Sequence, residues 1–136
     1  MRIMAIDYGD AHTGIAISDP TGLLAGFTTV INAYRPDRVT GQIALLAKEH
    51  RVERLVLGHP INMDGTRGPR SEKAQAMRQL LKETTGLPVV LWDERRTTID
   101  AHQILMSSGK NAKKRKKVVD AVRASLILEG YLTYLK

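Results

Sequence analysis

The sequence predicts an α/β fold in which one mixed β-sheet has helices packed on its faces. Two patterns lead to this prediction. The chain begins with two β-branched runs joined by a turn, and later apolar runs alternate with segments of helical periodicity. A hairpin followed by strands that alternate with helices implies one sheet covered by helices. With 136 residues, 43% of them hydrophobic, the chain is expected to form a single domain over residues 1–136.

The strands are predicted from short β-branched and apolar runs. The first two flank the turn-rich segment 8–13, which favours an antiparallel pair. In the first strand Ile3, Ala5 and Asp7 share one face because strand side chains alternate, so Asp7 is expected at the strand end beside small or apolar neighbours. The last run is almost continuously apolar, as in a central strand. Strands are predicted over residues 2–7, 14–18, 24–33, 52–57 and 89–93.

The helices are predicted from apolar spacing and from residues that start or stop a helix. Val39 and Ile43 belong to a series at three- and four-residue spacing, which indicates a helix lying on a sheet. Pro69 suits the first turn of the next helix, and Gly86 ends it. Helices are predicted over residues 37–50, 69–84, 97–108 and 118–134.

Composition and charge restrict the classes of function. The chain lacks cysteine, so a disulfide framework and thiolate metal sites are excluded, which fits a reducing, cytoplasmic location. There is no apolar run of 18 residues, and no membrane partner is expected. The net charge is +7, but residues 110–117 hold six basic residues and no acid, while the rest of the chain is nearly neutral. The charge therefore predicts one local patch that binds a polyanion.

Aromatic residues make up only 4% of the chain, too few for the stacking platforms that read single-stranded bases. Contacts with the backbone and shape of a nucleic acid are expected instead.

Three carboxylates from distant segments are candidates for one metal site. Asp7 and Glu94 close predicted strands, and Asp120 opens the last predicted helix. A carboxylate at the end of a buried strand is costly unless it is hydrogen-bonded or paired with a cation. Mg²⁺ or Mn²⁺ prefers oxygen ligands and needs only a few carboxylates besides phosphate. Each acid taken singly is equally well explained as a turn residue or helix cap, and Asp120 is also favoured by the helix dipole.

Four groups of motifs follow one another over nearly the whole chain. They are Ile6-Asp-Tyr-Gly9 with Gly14-Ile-Ala-Ile-Ser-Asp19, Leu57-Gly-His-Pro-Ile-Asn-Met-Asp-Gly-Thr66 with Gly68-Pro-Arg70, Trp92-Asp-Glu-Arg95 with Thr97-Thr98, and Val119-Asp-Ala121 with Leu126-Ile-Leu-Glu-Gly-Tyr131. Together they resemble the bacterial YqgF/RuvX family, which is described both as a Holliday junction resolvase and as a pre-16S ribosomal RNA nuclease.

The resemblance implies an RNase H-like fold with a five-stranded mixed sheet and acids clustered at one edge. It assigns the family's metal-binding and catalytic acids to Asp7, Glu94 and Asp120, with Mg²⁺ or Mn²⁺ as cofactor. Family members often have arginine where His12 stands and leucine where His59 stands, which bears on substrate detail. Neither histidine is included among the predicted site residues.

Basic residues near the predicted acids are candidates for nucleic-acid contacts. Arg67 and Arg70 stand near a predicted helix N-terminus, where an anion is favoured, and Arg95 follows Glu94 within a family motif. The basic run precedes Asp120 and would deliver phosphate contacts beside the acids. As alternatives, the segment around Arg67 is a plain connection and the basic run a solvated loop. The residues of the run are Lys110, Lys113, Lys114, Arg115, Lys116 and Lys117.

The leading hypothesis is a divalent-metal-dependent endonuclease acting on structured nucleic acid, with the 16S ribosomal RNA precursor favoured by the resemblance. One alternative cuts four-way DNA junctions, which requires two symmetric sites and therefore a homodimer. Another is a non-catalytic RNA-binding factor for ribosome assembly or transcription. The string Asp7-Tyr-Gly9 with Thr13-Gly14 also looks like the phosphate-binding hairpin of actin-like and sugar-kinase ATPases. Those enzymes need two such domains to enclose a nucleotide.

Overall fold

The computed structural model of the chain contains one five-stranded sheet with helices on both faces. It describes residues 1–21, 25–60, 65, 68–93 and 112–135, with the backbone alone for 112–118. The predicted α/β class is confirmed. Its strands are β1 (Ile3–Asp7), β2 (His12–Ser18), β3 (Ala25–Asn32), β4 (Arg54–His59) and β5 (Val89–Asp93), and its helices are α1 (Pro36–Glu49), α2 (Pro69–Thr85) and α3 (Ala112–Leu135).

The sheet is mixed, as predicted, and its strand order is β3-β2-β1-β4-β5. The central strand β1 pairs antiparallel with β2 and parallel with β4, and β5 adds to β4 in parallel. The carboxyl ends of β1, β4 and β5 therefore meet at one edge of the sheet. Asp7, His59 and Asp93 are the last residues of these three strands.

Two apolar cores lie on opposite faces of the sheet. On one face Ile6 and Leu57 pack with residues of α1 and α2, including Ile43 and Met77. On the other face small sheet residues such as Ala5 pack with buried residues of α3. Strand alternation produces this division, because neighbouring positions on each strand belong to different cores. The three helices of the described part of the chain thus pack on the two faces of the sheet and not on its carboxyl edge.

The limits of β4 differ from the predicted range 52–57, because the turn after α1 uses the first of those residues. The amide of Val52 donates to the carbonyl of Ala47 over 2.8 Å, and the amide of Glu53 donates to Arg2. Pairing with β1 begins only at Arg54. At its other end the strand extends to His59, two residues beyond the expected end, because it pairs with β5 as far as Asp93.

Helix α3 begins at Ala112 rather than near Val118, so the predicted loop around the basic run was wrong from Ala112 onwards. Lysine and arginine are good helix formers, and neither glycine nor proline stands between the two positions. Asp120 therefore lies in the third turn of α3, not at its start. The helix predicted over residues 97–108 falls outside the described residues. No helix in the described part of the chain is long and apolar enough to cross a membrane.

The two ends of α2 confirm the residues predicted to define them. Pro69 is the first helical residue, and Gly86 follows the last one. Gly86 has a φ of 70°, and its amide donates to the carbonyl of Lys82 over 3.0 Å. Glycine adopts this left-handed conformation without steric cost, which explains why α2 stops there.

We expect Gly41→Ala to raise the free energy of unfolding by about 0.5–1 kcal/mol. Gly41 lies inside α1, and a Cβ built on it meets nothing within 4 Å, so alanine gains helix propensity without a clash. Urea denaturation followed by circular dichroism measures the change. The matched control, Gly86→Ala, should lower stability because its backbone is left-handed. Destabilisation by Gly41→Ala would show a constraint that the structure does not contain.

Candidate active site

Asp7 ends the central strand on the face that α3 covers. Ile3 and Ala5, which precede it on that face, are buried in the core beneath α3. Tyr8, the next residue, packs instead against the core on the opposite face. Asp7 is half-buried at the carboxyl edge of the sheet, on the face that the strand alternation predicted.

Glycines flank Asp7 on both neighbouring strands. Gly14 of β2 is its register partner, and Gly58 of β4 follows the last residue paired with β1. A Cβ built on Gly14 would overlap with the backbone carbonyl of Asp120, so α3 touches the sheet at this point. This contact brings the backbone of Asp120 next to the strand pair that holds Asp7.

Asp120 lies on the side of α3 that faces the sheet. Ala124, Ile127 and Leu128 follow at four, seven and eight residues, the spacing of one helical face, and all three are buried against the sheet. The Oδ2 atom of Asp120 is itself buried. Asp7 and Asp120 are therefore brought to one region at the carboxyl edge, as the metal-site hypothesis requires.

Arg123 also belongs to this end of α3, and the sequence analysis did not single it out. Its Nε atom is buried and has no hydrogen-bond partner within the described part of the chain. Arg123 stands three residues after Asp120, which places the two on neighbouring positions of the helix surface. The signal available in the sequence was a basic residue next to an otherwise apolar helical face.

The third predicted acid, Glu94, lies outside the described residues, and its role stays a prediction. Among residues 1–21, 25–60, 65, 68–93 and 112–135, no three side chains of the histidine, cysteine, aspartate or glutamate type are grouped to hold a metal ion. The elements that carry Asp7 and Asp120 thus meet at Gly14, and the third predicted acid is the first residue after β5.

The predicted nucleic-acid residues are only partly within the described structure. Arg67, Arg95 and Lys110 fall outside it. Five residues of the basic run belong to the first two turns of α3, directly before Asp120: Lys113, Lys114, Arg115, Lys116 and Lys117. The backbone therefore places these five residues on the same helix as one candidate acid.

Arg70 lines a small cleft on the α2 side of the sheet edge, together with Lys73, which the sequence analysis missed. The cleft, here called the Arg70 cleft, also includes Tyr8, Gly9 and Gly58. Arg70 and Lys73 both belong to the first two turns of α2. Tyr8 follows Asp7 directly in the chain, so the Arg70 cleft and the candidate site are neighbours on opposite faces of the sheet.

An exposed ion pair spans the Arg70 cleft. Lys73 Nζ lies 3.0 Å from Asp10 Oδ1, which joins α2 to the turn between β1 and β2. The hydrogen bond from Lys73, the charge of Lys73 and the charge of Arg70 lower the pKa of Asp10. Burial and the charge of Asp10 raise the pKa of Tyr8, although Lys73 opposes this shift. The tyrosine hydroxyl is therefore protonated at neutral pH and can donate a hydrogen bond.

The two histidines left out of the predicted site have neighbours that give them structural roles. His59 is buried, and its Nε2 lies 2.6 Å from the hydroxyl oxygen of Ser71, which ties the end of β4 to α2. His12 Nδ1 lies 2.6 Å from Oδ1 of Asn32, its register partner on β3. The His59–Ser71 contact fixes the start of α2 and thereby the position of Arg70.

The fold is that of the RNase H-like nucleases. The structure of Thermus thermophilus RuvC in complex with a Holliday junction substrate matches all of this chain and 97% of that one, with a TM-score of 0.64 and 16% sequence identity. At this identity the likeness concerns the fold alone. The RNase H-like fold expected from the sequence resemblance is confirmed.

The chain belongs to the RuvX family. The model of that family, described as Holliday junction resolvase, matches residues 1–134. A protein of Halothermothrix orenii named "Putative pre-16S rRNA nuclease" is 43% identical over 98% of this chain and 96% of its own length. A protein of Bacillus subtilis with the same name is 42% identical over 99% of both chains. The chain is thus a nuclease, an enzyme that hydrolyses phosphodiester bonds.

We expect Gly14→Ala to lower both stability and nuclease activity. The new methyl group would overlap with the Asp120 backbone and force α3 away from the sheet. Overpacking of this kind costs about 1–3 kcal/mol. Urea denaturation and a cleavage assay measure the two effects, with Gly41→Ala as the control that adds the same methyl group in open space. Wild-type stability and activity in Gly14→Ala would contradict the close approach of α3.

Proposed function

We propose that this nuclease is an endonuclease that cleaves structured RNA at the carboxyl edge of its sheet, with the 16S ribosomal RNA precursor in the cytoplasm as its substrate. The observation that carries the proposal is the convergence of Asp7 and Asp120, which Gly14 joins through its register pair and its contact with α3. The names of the relatives from two bacteria support the choice of RNA. Glu94 is proposed as the third acid because it follows β5 directly.

The donor set suits Mg²⁺ or Mn²⁺. Both ions favour carboxylate oxygen, and Mg²⁺ commonly uses one or two carboxylates together with substrate phosphate and water. Asp7 and Asp120, with Glu94, would hold the metal. When bound, such an ion activates water and stabilises the charge that develops on the scissile phosphate.

The protein's own groups position the substrate and the acids. Asp7 is fixed by the central strand, and Asp120 by a helix whose next turns are buried, so neither carboxylate needs to reorganise for catalysis. Gly58 contributes no side chain beside Asp7, whereas the space next to Gly14 is taken up by the backbone of Asp120. The basic residues in the first two turns of α3 precede Asp120 on the helix. Their positive charge attracts the RNA backbone to this end of α3.

Asp7→Asn and Asp120→Asn should each reduce metal-dependent cleavage of precursor RNA by at least about 100-fold, because even residues that only support metal ligands cost 10–100-fold. RNA binding, measured by fluorescence anisotropy in chelator, should stay close to that of the wild type. The control is Asp37→Asn, an exposed acid at the start of α1 that pairs with Arg35. Full cleavage by either site variant would remove that acid from the proposal, and binding without any metal-dependent hydrolysis by the wild type would favour the non-catalytic alternative.

The family description keeps a DNA junction as the second candidate substrate. We expect precursor RNA to be cleaved at least about tenfold faster than a four-way DNA junction when both are tested side by side in Mg²⁺, Mn²⁺ and chelator. Faster cleavage of the junction would reverse the assignment. It should then be accompanied by a dimer in light scattering, since two symmetric cuts require two sites.

A further inference from the structure

A groove adjoins the Arg70 cleft on the α2 side of the sheet edge. Its volume is about 400 Å³, and its lining includes Tyr8, Tyr34, Lys73, Met77 and Leu80. Tyr8, Asp10 and Lys73 line both the groove and the Arg70 cleft, so the two hollows lie side by side. Volumes of this size accommodate small organic groups such as a nucleobase with its sugar.

We propose that this groove, the nucleotide groove, binds one unpaired nucleotide of the substrate strand beside the cleavage site. Lys73 and Arg70 contact the phosphate, and the Tyr34 ring stacks on the base. The inference rests on the proposed function, since it takes the nucleic acid at Asp7 as given. The inference adds that the substrate must be single-stranded on the side of the cleavage site that enters the nucleotide groove.

The position of the groove relative to Asp7 favours an unpaired strand. Asp7 belongs to the α3 face and Tyr8 to the opposite face, so a strand that touches both must turn over the edge of the sheet. A paired helix does not make so tight a turn, whereas unstacked nucleotides in loops and at ends do. Gly9 and Gly58 line the Arg70 cleft with backbone alone.

The walls of the groove match the chemistry of a nucleotide. Tyr34 is 80% exposed, although an aromatic ring gains from being covered, and Leu80 beside it is partly exposed. Stacking of a base on such a ring is tolerant of sequence and does not need a large aromatic content. One tyrosine is consistent with the low aromatic fraction of the chain, because only one base is bound.

The cationic end of the groove is held by an ion pair that a phosphate can replace. The side chains of Lys73 and Asp10 are 59% and 77% exposed, and pairs this exposed are weak. Arg70 contributes a second positive charge at the same place. A phosphate that enters the Arg70 cleft replaces Asp10 as the ion-pair partner of Lys73, so Asp10 competes with the phosphate. Removal of the Asp10 charge should therefore strengthen binding, whereas removal of the Lys73 charge should weaken it.

The test measures binding in chelator, where nothing is cleaved, with a short single-stranded RNA and a blunt duplex of the same sequence. Tyr34→Ala should weaken single-strand binding by roughly 5- to 100-fold, the range that corresponds to the loss of one stacked base. Duplex binding should change less than about twofold. Tyr34→Phe, which keeps the ring, should recover most of the lost affinity.

The charge variants give opposite signs. Lys73→Gln should weaken single-strand binding, and Asp10→Asn should tighten it. The matched control for Lys73→Gln is Lys82→Gln, which removes the same charge from the exposed last turn of α2. Its effect reports the general loss of positive charge and should be smaller than that of Lys73→Gln.

The inference is overturned if Tyr34→Ala binds the single strand like the wild type, or loses affinity for single strand and duplex equally. It is also overturned if Asp10→Asn weakens binding as Lys73→Gln does, since the ion pair would then be structural. The proposed function fails separately, through full cleavage by Asp7→Asn. Unchanged binding by the groove variants with an inactive Asp7→Asn would remove the nucleotide groove and leave the active-site proposal standing.

Discussion

The close approach of α3 to the sheet at Gly14 is the constraint on which the candidate site depends. Small residues lie beneath the helix, with Ala5 and Ala16 on the sheet and Ala124 on the helix, so the two layers pack at short distance. At Gly14 the distance becomes so short that even a methyl group would not fit. The result is that a helix residue and the end of the central strand share one location, although the chain places them far apart.

This packing also brings the backbone positions of two acidic residues near one another. A half-buried carboxylate loses hydration, and a second negative charge nearby raises the cost. The apolar contacts of Ile127 and Leu128 with the sheet supply the stabilisation that holds Asp120 in place. Under the proposed function, a bound divalent cation would relieve the remaining repulsion.

The sequence was sufficient for the five strands, their mixed pairing and the limits of α2, because alternation and the proline and glycine signals are local. It was less reliable for α3, where a run of charged residues was interpreted as a loop although lysine and arginine favour helices. The Lys73–Asp10 pair could not be predicted, since its partners come from separate elements that only the tertiary fold brings together. The same holds for the exposure of Tyr34. Local patterns therefore predicted the elements, and not the hollows between elements.

The corrected start of α3 changes the argument about Asp120. At a helix start the acid could be explained by the dipole or by capping, which needs no functional role. These effects fall off within the first turn, and Asp120 stands in the third. Aspartate is a poor helix former at an interior position, and the Oδ2 atom of Asp120 is buried, so neither capping nor the helix dipole explains this residue. The simple structural explanation is thereby weakened, which supports the proposal that Asp120 is kept for the cation it would share with Asp7.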